Sequence, residues 1–204
     1  MPNEGWGVGA SLLRREDERH LHGRGEFVSD IKLPGTMEVA FLRSSHAHAR
    51  IRSITIPPGA GSVFTAADLP QIAPVRVVTQ AIGAKSPAWA PLATDKVRYF
   101  GEAITACVAP TRAEAEDLAA SVTVDYELLD AVVDPLRNMR GSPVLVHEHW
   151  GDNLYLERTI ESGDIEGAAR AAEITVTRRY RMSRQSGAPL EGACRARLSR
   201  PPAR

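Results

Sequence analysis

Cysteine is almost absent from this chain. Cys107 and Cys194 are the only two in 204 residues, which excludes a disulfide-dense scaffold and a cysteine-ligated iron–sulfur cluster built within the chain. Lysine is nearly as scarce. Lys32, Lys85 and Lys96 are the only lysines among 25 basic residues, and with abundant alanine this bias points to GC-rich coding DNA. Net charge is missing as well: 25 basic side chains balance 25 acidic ones, so no global field draws the protein to nucleic acid or to anionic lipid. No run of apolar residues reaches the roughly 18 needed for a membrane span. Met1–Ser11 lacks a basic segment followed by an apolar one, so no secretory leader is expected and the expected location is cytoplasmic.

What remains is an ordinary globular composition, 43% hydrophobic and 25% charged, in a chain long enough for one or two domains with a real core. Several catalytic signatures are missing. There is no GxSxG elbow. Gly7-Val8-Gly9 lies too near the start to follow a strand and has no third glycine, so it does not make a dinucleotide-binding loop. Carboxylate pairs such as Glu114/Glu116 and Asp125/Glu127 sit in helix or strand contexts, where a solvated face explains them.

Short elements of both kinds are predicted. Leu12–His22 reads as a helix stopped by Gly23 and Gly25. Glu26–Ser29 reads as a short strand, and Leu33-Pro34-Gly35 as a turn. Met37–Arg43 and Ala49–Ile56 are β-rich. The alternation of the second is imperfect: Ile51, Ser53 and Thr55 fall on one side, Arg52, Ile54 and Ile56 on the other. Thr65–Pro70 is a capped turn with Asp68 at its third position. An irregular connection follows from Ile72 to Thr94. Val97–Tyr99 and Ala103–Val108 are strands kinked apart at Phe100-Gly101-Glu102. Thr111 and Glu114 form a capping box opening a helix to about Ser121, with Ala115, Leu118, Ala119 and Val122 on its apolar face. Val122–Leu128 is a strand, Asp134-Pro135 and Gly141–Pro143 are turns, and Val144–Val146 is a short apolar run. Asp164 caps a short helix through Ala172, and Glu173–Met182 alternates as a charged strand. Short helices among irregularly spaced strands favour α+β over a doubly wound sheet.

All six histidines fall in His-x-His pairs: His20/His22, His46/His48 and His147/His149. On a strand such a pair shares a face and offers two metal ligands. A catalytic zinc wants a third ligand, and no HExxH or cysteine pair supplies one. A metal-binding protein therefore ranks as the third reading of function.

Larger segments carry a resemblance. These are Arg15-Glu16-Asp17, Gly23–Ile31, Leu33–Ile51, Thr65–Pro70, Val97–Ala109, Thr111–Asp134 and Ser162–Ala172. In that order and spacing the chain, from about Gly9 to Glu191, resembles the N-terminal part of the molybdopterin-binding large subunit of the xanthine dehydrogenase, aldehyde oxidase and carbon-monoxide dehydrogenase family. The resemblance implies an α/β hammerhead domain, with short mixed sheets and a few short helices. It implies an arm and short helix over residues 1–22, the hammerhead domain over 23–150, a connecting helix and strand over 151–183, and the start of a molybdopterin-binding domain over 184–204.

Function follows as an expectation of the same kind. Family enzymes are oxidoreductases that hydroxylate an electron-poor carbon. Their molybdenum is carried by a molybdopterin cytosine dinucleotide, and electrons leave through iron–sulfur and FAD subunits. The protein holds the cofactor and places the substrate, while the molybdenum centre carries the hard chemistry. Gln185 matches the glutamine of the family segment Gln-x-x-x-x-Leu-Glu, with Leu190 and Glu191 in register, and is the one candidate cofactor contact. Its amide can donate to an oxygen without adding charge. No catalytic residue and no metal ligand is expected here, and no molybdopterin is expected to bind this chain alone. Beyond Gly192, ACRARLSRPPAR departs from the family pattern and is expected to be out-of-frame sequence. His46/His48 becomes part of a strand entry, and Gly101-Glu102 the family's bend between strands. By the same resemblance, the expected partners are the remaining molybdopterin-binding subunit and the iron–sulfur and FAD subunits of a hydroxylase, without nucleic acid. The alternative function is a non-catalytic module that docks on a hydroxylase subunit.

Overall fold

The computed structural model of the protein describes residues 7–60, 62–76, 83–85, 88–183 and 185–189. Contacts divide the chain into two units: Gly35–Thr175, and a second made of Met1–Pro34 with Val176–Arg204.

The first unit is α+β, built on two three-stranded antiparallel sheets. One sheet has the order β1-β7-β3, from Glu38–Arg43, Ala103–Ala109 and Val63–Phe64. The other has the order β6-β2-β8, from Lys96–Val97, Ala49–Thr55 and Thr123–Leu128. Where an irregular connection is predicted, Val75–Arg76 (β4) and Ala88–Trp89 (β5) form a small antiparallel ribbon. All the described strand pairs are antiparallel, where mixed sheets are expected.

β6 and β7 are consecutive yet belong to different sheets. The bend between them needs Gly101, whose φ of +87° favours glycine. Its N–H donates to the Ser44 carbonyl at 2.9 Å, and the Ser44 N–H donates to the Glu102 carbonyl at 2.8 Å. The predicted kink therefore also ties the end of β1 to the start of β7.

Helix α2, Arg112–Ser121, packs against β1 and β7. The expected capping box is present. Thr111 Oγ1 accepts from the Glu114 N–H at 3.3 Å, and the Glu114 carboxylate accepts from the Thr111 N–H at 3.1 Å. Ala115 and Ala119 are its buried residues, and their small size lets the helix approach the sheet closely. Beneath it lie Ala40, Leu42, Val63, Cys107 and Val122. A second core cluster joins the two sheets: Ala49, Ala93, Val97 and Ile104, with Ile51, Ile54, Val124 and Tyr126 against it. Ile54 packs on both clusters.

Three smaller predictions are corrected. Glu26–Ser29 is not a strand; Val28–Asp30 forms one 3-10 turn, because the Asp30 carboxylate accepts from the Phe27 N–H at 3.0 Å and curls the chain. The Asp134-Pro135 turn is the start of a one-turn helix, α3, Pro135–Asn138, with the Asp134 carboxylate accepting from the Leu136 N–H at 2.9 Å. Glu173–Met182 forms no ladder among the described residues, and Ile174, Val176, Tyr180 and Met182 are exposed. Alternation makes a strand only where a neighbouring strand takes its hydrogen bonds. Thr65 is the N-cap of its turn and Asp68 stands at the third position, as predicted, its carboxylate accepting from the Thr65 N–H at 2.7 Å. Asp164 likewise caps α4, Ile165–Ala171, accepting from the Gly167 N–H at 2.8 Å.

In the second unit, helix α1 is Asp17–Leu21, shorter than the predicted Leu12–His22. Its end is fixed by Gly23 at φ +66°. The Gly23 N–H bonds to the His20 carbonyl at 3.1 Å and the Arg24 N–H to the Arg19 carbonyl at 2.8 Å, the two bonds of a Schellman motif. None of the described residues of this unit is buried. Residues 1–6, Leu190, Glu191, Gly192 and the predicted aberrant segment 193–204, with Cys194, lie outside the described residues.

Candidate functional site

Several charged side chains meet on the face of the β6-β2-β8 sheet away from the Ala49–Val97 core. In the β2–β6 ladder Ala49 sits opposite Val97 and Arg50 opposite Lys96. Ala49 and Val97 face the core, so Arg50 and Lys96 share the other face. Lys96 is nevertheless fully buried. Its Nζ donates to Glu148 Oε1 at 2.8 Å and to the Leu145 carbonyl at 3.2 Å. Arg50 Nη2 reaches the same Glu148 oxygen at 3.3 Å. Partial burial alone would raise the Glu148 pKa. The hydrogen bonds from Lys96 and a backbone N–H, with the charges of Lys96 and Arg50, overcome this and hold it at about 2. His147 goes the same way for a different reason: burial, and then the charges of Arg98, His149 and Lys96, lower it to about 4. Its ring tilts against Trp150 with centroids 4.4 Å apart.

These contacts fasten the segment after α3, which has little regular structure. Lys85 Nζ donates to Asp152 Oδ1 at 2.5 Å and to the Trp150 carbonyl at 3.2 Å. Asn153 accepts from the Val146 N–H at 2.9 Å and donates to the carbonyls of Asn138 and Val144 at 3.0 and 2.8 Å. The charges meet opposite charges and the donors meet carbonyls. This arrangement holds a loop on a sheet. Nothing in the sequence pointed to it, because Glu148 lies 52 positions from Lys96. The one available signal is that two of only three lysines serve as its anchors.

The histidine pairs do not converge. His22 Nδ1 lies 2.7 Å from the Glu18 carbonyl, and His46 meets the Tyr126 ring edge-on at 4.8 Å. His48 is buried, with Nδ1 2.8 Å from the Asp130 carbonyl. A carbonyl can only accept, so Nδ1 is the donor in this contact. Nε2 has no partner among the described residues. The rings of His147 and His149 stand 6.0 Å apart. Among the described residues no three His, Cys, Asp or Glu side chains are grouped as a metal site. His46 and His48 lead directly into β2, as the structural reading of Ser44–Ile51 expects.

Gln185, the one predicted cofactor contact, lies in the second unit, exposed and outside any helix or strand. Its expected companions Leu190 and Glu191 lie outside the described residues. A pterin dinucleotide needs a cradle of converging donors, and one exposed amide is not that cradle. Among the described residues, no helix is long and apolar enough to cross a membrane.

Comparison with known proteins decides the family. Residues 22–130, more than half of the chain, match the aldehyde oxidase and xanthine dehydrogenase a/b hammerhead domain. The chain belongs to this family. The hammerhead protein is 36% identical over 190 residues to the nicotine 6-hydroxylase large subunit of Paenarthrobacter nicotinovorans, covering 90% of this chain and 23% of that one. It is 39% identical over 153 residues to the carbon monoxide dehydrogenase large chain of Afipia carboxidovorans, covering 72% and 18%. In structure it resembles quinoline 2-oxidoreductase from Pseudomonas putida 86, with a TM-score of 0.59, 38% identity, and coverage of 66% and 18%. The hammerhead protein thus spans less than a quarter of the length of these relatives. The sequence-based identification of family and α+β hammerhead fold is borne out.

Proposed function

We propose that this chain is the N-terminal hammerhead portion of a molybdenum hydroxylase large subunit, contributing framework and not chemistry. In this reading residues 23–150 are the hammerhead domain, 151–183 the connector, and 184–204 the opening of a cofactor-binding domain. The observation that carries it is that the family likeness covers up to 90% of this chain but less than a quarter of these relatives, while the charged groups that meet in the described residues are bound to one another. Those groups, Lys96, Arg50 and Glu148, are spent on holding a loop.

The chemistry then belongs to polypeptide beyond this portion, with a molybdopterin cytosine dinucleotide and with iron–sulfur and FAD subunits, in the cytoplasm. Gln185 is the residue of this chain assigned to the cofactor's neighbourhood, as a single neutral donor. Alone, the chain binds no molybdopterin and turns over no substrate. The relatives' names include nicotine, quinoline and carbon monoxide, and the shared portion does not select among them.

Metal and pterin analysis of the purified chain, with a dye-reduction assay, tests this. Molybdenum and pterin at background, with no dye reduction, are expected. Stoichiometric molybdenum or measurable turnover by the chain alone would overturn it.

A further inference from the structure

The β1-β7-β3 sheet has two unlike faces. On one, Ala40, Cys107 and Val63 stand in a row across the three strands under α2. On the other, Phe41 lies opposite Ala106 and Ala106 opposite Phe64, with Val39 opposite Val108 in the next row. Directly opposed residues point to the same side, so these five form one apolar surface. Val39 is 50% exposed, Phe41 45% and Phe64 38%.

This surface is the continuation of a core. Ile104 has the same parity on β7 as Ala106 and Val108, yet it is fully buried with Ala49, Ala93 and Val97. One strand face is thus fully covered at Ile104 and only half-covered two and four residues later, at Ala106 and Val108. Val108 also borders a shallow groove lined by Met37, Ala60, Ser62 and Leu118. Strand β1 adds a second exposed feature, since among the described strands it pairs with β7 alone. Its six-residue free edge holds no proline and carries charge only at its ends, Glu38 and Arg43. Natural sheets blunt or cover such edges.

We propose that the Val39–Phe41–Phe64 face, with the β1 edge, is the surface on which the remainder of the large subunit docks. The inference rests on the functional reading above. The occupant follows from length: more than three quarters of each of these relatives lies outside the matched portion. Permanent interfaces resemble a core cut in two, and a face that is core at one end and half-covered at the other fits that description. The partner is a polypeptide presenting an apolar, carbon-rich face to the two phenylalanines.

The test co-expresses the full 204-residue chain, tagged, with the nicotine 6-hydroxylase large subunit lacking its matched N-terminal quarter. Capture is measured for the native chain, Phe41→Asp, Phe64→Asp and the control Leu136→Asp, which alters a side chain 74% exposed on α3. Thermal unfolding checks that each variant is folded, and hydrogen exchange follows β1 and β3 of the native chain. The expected result is capture weakened at least tenfold by Phe41→Asp and Phe64→Asp but not by Leu136→Asp, with β1 and β3 amides protected in the complex. A complex that forms with unprotected β1 and β3, or that tolerates both aspartates, overturns the docking face and leaves the functional reading standing. No complex at all overturns both. A native chain that is dimeric by sedimentation, and made monomeric by Phe41→Asp, assigns the face to a second copy and overturns the proposal. The exchange measurement decides the matter if the aspartate variants do not fold.

Discussion

Lys96 Nζ lies 2.8 Å from Glu148 Oε1, and the lysine side chain has no exposure to solvent while the glutamate is half exposed. The two partners are therefore unequal. Removing the glutamate strands a buried ammonium, whereas removing the lysine leaves a carboxylate that still has Arg50 and water. Breaking a buried pair from one side costs several kcal/mol; with Glu148 half exposed, Glu148→Gln should destabilise by about 2 kcal/mol. Lys96→Met, which fills the same space without charge, should cost less than about 1 kcal/mol. In the double variant the loss from Glu148→Gln should largely disappear. Urea unfolding of the four proteins measures this coupling, and additive losses would show that the pair does not act as a unit.

The same loop makes stability depend on acid. His147 has its pKa lowered from 6.5 to about 4, so between those values the unfolded chain takes a proton that the folded one refuses. Stability falls as pH drops through that window. Glu148, depressed from 4.5 to about 2, contributes stability that is present above about 4.5 and lost as pH falls towards 2. The two effects have the same sign and follow one another. The melting temperature should hold above pH 7, decline from about 6.5 to 4, and decline further below 4.5. His147→Gln should flatten the upper part and Glu148→Gln the lower part.

Ile54 should be the more costly of the two β2 isoleucines to truncate. Ile51 and Ile54 are three apart on one strand, yet both pack on the cluster of Ala49, Val97 and Ile104. A regular strand would send them to opposite faces. The β2–β8 ladder shifts register between Ile51 and Ser53, and this bulge turns both inward. Ile54 also reaches the cluster under α2. Both are half-buried, so Ile54→Ala should cost about 2 kcal/mol, near the low end for isoleucine truncation, and Ile51→Ala less. Equal losses in denaturant unfolding would contradict the bridging role.

That bulge was visible in the sequence as a defect in alternation without a cause. Elements were legible where the signal was local. The Thr111–Glu114 box, the Asp164 cap, the Gly101 bend and β1, β2, β7 and β8 each rest on residues a few positions apart. What was lost depended on distant partners. Glu173–Met182 alternates as a strand should, but no neighbour takes its hydrogen bonds among the described residues. The Lys96–Glu148 contact joins two residues with no common motif. Gln185 was legible only through family resemblance, and its exposed position adds no local support to that assignment.

Gly101 gives a test of backbone conformation free of crowding. A Cβ built on it meets nothing within 4 Å, yet its φ is +87°. The penalty for a side chain there is conformational alone, on the order of 1–2 kcal/mol for alanine. Asparagine, which tolerates positive φ better than other residues, should cost less than alanine despite being larger, and valine should cost more than either because its branched Cβ suits that region least. The rank asparagine, alanine, valine in thermal unfolding is the signature of φ. A rank by side-chain volume, alanine first, would mean that space around the bend and not its handedness requires glycine. Because the Gly101 N–H and the Ser44 N–H tie β1 to β7 across this bend, the variants should also speed hydrogen exchange at Ser44 in the same order.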